Sequence, residues 1–143
     1  MPWVMALVTA IAAGAGCGGA VQYGSFLGGH ETAQKGMAAD AADKLKQMYP
    51  PEHNPVQLAH PAKDPFGQGL VNRLRGFGYV VLEAPDAEVE GHRKVGYVVD
   101  QVEGMPLLRL KLVIDDRTLS RAYVSQSDGL KPVGSWSSVH GAK

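Results

Sequence analysis

The sequence predicts a small α+β domain in which two helices pack on a mainly antiparallel sheet. Three observations carry this reading. Two segments in the first half place apolar residues at helical spacing, the second half alternates with period two, and 143 residues suit one core of ordinary size.

The first helix is predicted over residues 31–49. There Met37, Ala41, Leu45 and Met48 recur along one face, while Lys35, Asp40, Asp43, Lys44, Lys46 and Gln47 fill the other positions. Pro50 and Pro51 end it, because proline lacks an amide proton and clashes with the preceding turn. Residues 56–58 alternate and predict a short strand. Asp64 then serves as N-cap of a second helix, with Pro65 at the first helical position, where its missing proton costs nothing. Phe66, Leu70 and Leu74 line one stripe of that helix, and Gly76 or Gly78 supplies its left-handed stop.

Residues 79–82 and 95–99 are rich in β-branched and aromatic side chains and predict strands on either side of the charged loop at 86–94. Leu108, Leu110, Leu112 and Ile114 alternate with Arg109, Lys111 and Val113, the pattern of a strand with one buried face. Asp115, Asp116 and Arg117 make a turn, residues 118–125 return as its hairpin partner, and a last short strand is expected at 135–139.

Lys and Arg balance Asp and Glu at 14 each, and the basic residues are dispersed over different elements, so direct nucleic-acid binding is not expected. The single cysteine, Cys17, excludes an intrachain disulfide and a cysteine-rich zinc site. The five histidines are scattered, with no pair at helical metal-ligand spacing, and no metal or cofactor is expected. Ser120, Ser125 and Ser127 lack the glycines of a nucleophile elbow. Asp115 and Asp116 read better as turn residues than as a catalytic pair. An enzyme is therefore not expected.

Residues 3–13 form an uncharged, mostly apolar run, followed by Gly14, Ala15 and Gly16 and then Cys17. That run has the length of a signal-peptide core and is too short to span a membrane. A cysteine directly after small residues resembles a bacterial lipobox, in which the thiol is acylated and the leader is cut before it. Gly14 departs from the leucine that the pattern prefers. Acylation of Cys17 is the favoured reading, and an idle thiol is the alternative. Gly18 follows Cys17 where the inner-membrane retention signal would place aspartate, which points to the outer membrane. The expected organisation is a signal peptide over 1–16, a lipidated Cys17 and glycine-rich flexible tether over 17–30, and a periplasmic domain over 31–143. Among the aromatics, Trp136, Tyr123 and Tyr97 are candidates for an interaction surface, against a background in which most aromatics of so small a domain are core.

The stretch Asp64-Pro-Phe-Gly-Gln-Gly-Leu-Val-Asn-Arg-Leu-Arg-Gly-Phe-Gly-Tyr79 is preceded by Met48-Tyr-Pro-Pro51 and followed by Leu119-Ser-Arg-Ala-Tyr123 and Pro132-Val-Gly-Ser-Trp136. In that order the blocks resemble the TrbH family of conjugal transfer lipoproteins. The resemblance implies a structural part of the mating-pair-formation apparatus, a type IV secretion system that moves plasmid DNA, held in the outer-membrane core beside TrbG-like and TrbI-like subunits. It also implies a domain similar to the small amino-terminal modules of secretins, by fold analogy. Cys17 carries over as the acylation site, and no catalytic residue does. The competing expectation is a periplasmic module that binds a small ligand or peptidoglycan in a cleft lined by Tyr97, Tyr123 and Trp136.

Overall fold

The computed structural model describes residues 22–141, so the apolar run and Cys17 lie outside the described residues. The chain runs β1 (Gly24–Ser25), α1 (Glu31–Met48), β2 (Val56–Leu58), α2 (Pro65–Gly76), β3 (Val81–Leu82), β4 (Arg93–Gln101), β5 (Leu107–Ile114), β6 (Arg117–Gln126) and β7 (Gly129–His140). The sheet order is β3-β2-β4-β5-β6-β7, with β1 also paired to β4. The result is the expected α+β domain, two helices on a mostly antiparallel open sheet.

The long strands form because their alternation gives one buried face. Val95, Tyr97 and Val99 of β4, Leu108, Leu110, Leu112 and Ile114 of β5, and Leu119 and Tyr123 of β6 are all buried, and they face the helices. The β5–β6 turn needs only Asp115 and Asp116, since Ile114 pairs with Arg117, and Asp115 adopts a left-handed φ of 53°. Its carboxylate accepts from the Lys94 amide at 3.0 Å and from Arg93 Nη1 at 3.1 Å, which gives Asp115 a structural role.

The helices cover the buried face with small residues where they cross. On α1, Ala38, Ala41 and Ala42 are fully buried, and a Cβ at Gly69 of α2 would stand 3.2 Å from that of Ala38. Close approach of the two axes depends on such side chains. Asp64 caps α2 by accepting from the Gly67 amide at 2.7 Å, and its other oxygen accepts the Tyr97 hydroxyl at 2.7 Å. Gly67 is required at that point, because the Tyr97 hydroxyl fills the space that a Cβ would take.

Three features differ from the sequence-based expectations. The described end of the glycine-rich segment is folded in rather than a free tether: Gly24 and Ser25 pair in parallel with Val98 and Val99, and the Tyr23 ring fills the space that a Cβ at Gly96 would need. Gln34, buried on α1, holds the segment by accepting from Ser25 Oγ at 2.7 Å and donating to the Gly29 carbonyl at 2.6 Å. The strand predicted at 79–82 shrinks to Val81–Leu82, because Tyr79 turns inward and donates its hydroxyl to the Tyr49 carbonyl. The last strand is longer than predicted and starts at Gly129.

Asp64→Ala removes a cap and leaves the buried Tyr97 hydroxyl without its acceptor. It is expected to destabilise the domain by about 2–4 kcal/mol in urea unfolding, whereas Asp86→Ala on the exposed β3–β4 loop should stay within about 0.5 kcal/mol.

Candidate functional site

The three aromatic candidates take different places. Tyr97 is 0% exposed and Tyr123 1%, so both rings are core residues in this domain. Burial pushes both hydroxyls above the usual tyrosine range, and the carboxylates that accept from them, Asp64 for Tyr97 and Asp40 for Tyr123, push further in the same direction. Both therefore remain protonated donors. Trp136 is half-buried at the rim of the core and keeps exposed surface.

Trp136 reaches that position through an irregularity in the outermost strand. The β6–β7 pairing jumps from Ser120↔Ser137 to Ala122↔Val133, so three residues of β7, Gly134, Ser135 and Trp136, stand opposite Arg121 alone. Gly134, with φ of 77°, supplies the bend. Arg121 fills the resulting corner. Its Nη1 donates to Asp40 Oδ2 at 2.8 Å, its Nε to the Gly134 carbonyl at 3.2 Å, and its guanidinium lies 5.6 Å from the centre of the Trp136 ring. The same Asp40 oxygen accepts the Tyr123 hydroxyl at 2.5 Å. One carboxylate on α1 thus ties together β6, the corner of β7 and the helix.

Beyond this network α1 and β7 leave open space. Between them lies an open cleft of about 390 Å³ lined by Asp40, Asp43, Lys44, Gln47, Arg121 and Trp136. Gly36, Asp40, Lys44 and Gln47 follow one flank of α1, and at Gly36 the helix lies close against β7, where a Cβ would stand 3.1 Å from the Leu130 side chain. Past Trp136 the strand is exposed on both faces, with Val139 63% exposed.

Along that edge the protection is uneven. Lys131, Pro132 and the Gly134 bend guard the first half against pairing with another chain, since charge, missing amide protons and distortion all interrupt a ladder. Residues 135–139 carry no charge, proline or glycine. At the other side of the sheet, the two-residue β3 ends the order, and β1 and β2 share the edge of β4.

Sequence reasoning did not single out His60. Its ring lies between Tyr23, stacked at 5.6 Å, and Tyr97, tilted at 4.6 Å, and neither buried ring nitrogen has a hydrogen-bond partner. Desolvation holds its pKa below 6.5, against the opposing pull of Asp64. Only the pairing of β1 and β2 along β4 creates this enclosure, and nothing in the local sequence announces it. Among the described residues no group of three His, Cys, Asp or Glu side chains could hold a metal ion.

The neutral His60 makes the fold acid-sensitive. Below pH 6.5 the unfolded chain takes up a proton that the folded chain resists, so stability is lost as pH falls from 6.5 toward the lowered folded value. Urea midpoints measured between pH 7 and pH 5 should fall more steeply for the wild type than for His60→Phe, which keeps the ring contacts and removes the titration. Parallel curves would remove this account of His60.

No curated protein and no solved structure matches the chain. The family profile described as conjugal transfer protein TrbH matches residues 21–140, which takes in both helices and every strand of the sheet. With the match covering the whole described fold, the chain belongs to the TrbH family of conjugal transfer proteins.

Proposed function

We propose that this conjugal transfer protein is a structural lipoprotein, held at the periplasmic face of the outer membrane through Cys17 and assembling by its domain into the core of a type IV secretion system beside TrbG-like and TrbI-like subunits. The observation that carries the assembly reading is the uncharged, unprotected end of β7, a ready acceptor for another chain. No described helix is long and apolar enough to cross a membrane. In this proposal an acylated Cys17 supplies the attachment.

The docked β1 shapes this proposal physically. Cys17 stands six positions before Tyr23, a span of at most about 20 Å at about 3.5 Å per residue. An anchor there would keep β1 close to the bilayer, while the β7 edge lies on the far side of β5 and β6 from β4 and stays open to other subunits. The alternative of a small-ligand or peptidoglycan module needs Tyr97, Tyr123 and Trp136 to line one cleft, and two of those rings are enclosed in the core.

Intact mass and membrane fractionation of the full-length protein, compared with Cys17→Ser, test the anchor. The wild type is expected to lose its leader, gain acyl mass and sediment with the outer membrane, while Cys17→Ser stays unacylated and leaves that fraction. An unmodified wild type in the soluble fraction would overturn the anchoring role.

A further inference from the structure

The α1–β7 cleft and the unprotected strand end are one surface. Ser138 pairs with the buried Leu119 and therefore points to the helix side, as Trp136 does two residues earlier. Ser138 and His140 are nevertheless exposed. A further strand laid against residues 136–140 would extend the ladder and send alternate side chains under the flank of α1, into the cleft beside Trp136.

The charges of the cleft select what that strand carries. Asp40 is neutralised by Arg121, and Asp43 by Arg73 at 3.3 Å. Among the described residues Lys44 forms no ion pair, and its nearest polar partner is Gln47 Oε1 at 3.5 Å. The charge left unmatched is positive. A second copy of this chain pairing through the same segment presents Trp, Ser, Ser, Val and His, none of which is a carboxylate.

We infer that residues 136–140 of β7 and the Lys44 flank of α1 form a docking site for an extended strand of a different subunit, which pairs by its main chain and places an acidic side chain at Lys44 and an apolar one against Trp136. The inference rests on the assembly reading above and names its surface.

The test uses donor cells carrying the complete transfer system and the full-length chain, with a benzophenone amino acid at Ser138 or, as a control on the opposite sheet face, at Lys111. Irradiation is expected to join the Ser138 chain, and not the Lys111 chain, to a heavier partner, with peptide mapping locating an acidic residue in the joined segment. Lys44→Glu should lower that yield, and Ser138→Lys, an inward-pointing edge charge, should lower transfer frequency, each by about tenfold. Ser138 is exposed, and Lys44 is half-buried but forms no ion pair among the described residues, so the unfolding midpoints and membrane fractions of both variants should match the wild type. An adduct of twice the monomer mass, a yield indifferent to Lys44→Glu, or no adduct at Ser138 overturns the inference. A wild type absent from the membrane fraction overturns the anchoring proposal instead, and the crosslinking result stands apart from it.

Discussion

Each helix of this domain is fixed to the sheet by one carboxylate that accepts a tyrosine hydroxyl, and the arrangement of everything else depends on these two bonds. Asp64 receives Tyr97 from β4, and Asp40 receives Tyr123 from β6. Apolar packing alone leaves a helix free to slide on a sheet, because the hydrophobic effect has no direction. A buried hydroxyl bound to a carboxylate has a direction, and leaving it unmade costs about 1–3 kcal/mol. The two bonds also couple local and tertiary structure. Asp64 caps α2 with one oxygen and grips the sheet with the other, while Gly67 makes room for the hydroxyl.

The sidedness of the molecule follows from that placement. Asp40 sets α1 over β6 at the corner that Arg121 closes, and beyond it the end of β7 is exposed. On the other side, β1, β2 and the ring of Tyr23 occupy the edge and neighbouring surface of β4. A domain built this way has one covered edge next to the segment that leads back toward Cys17, and one long edge whose last residues are free. For a member of a conjugal transfer family, that asymmetry suits a part that joins other parts.

The central strands and both helices were legible because their periodicities are local and strong. Leu108, Leu110, Leu112 and Ile114 alternate without interruption, and Phe66, Leu70 and Leu74 mark α2 with its cap in place. β1 was not legible, since Gly24 and Ser25 have neither alternation nor bulk, and what holds them is Gln34 on α1 together with the glycine at position 96. The first half of β7 was hidden for a related reason. Lys131, Pro132 and Gly134 read as loop residues, and they are tolerated in a strand only because it lies at the edge.

The sequence by itself determined the fold class, the caps and turns, the buried faces and the family, because these rest on period, proline and glycine chemistry and the order of short blocks. Tertiary structure alone decided which aromatics stay at the surface, which carboxylates bind tyrosines and where the sheet is left open. Tyr97, Tyr123 and Trp136 look alike in sequence, and only the position of each strand relative to the helices buries two of them and leaves the third at the rim. Exposure and pairing depend on contacts between residues as far apart in the chain as Asp40 and Tyr123, and no local pattern encodes such a distance.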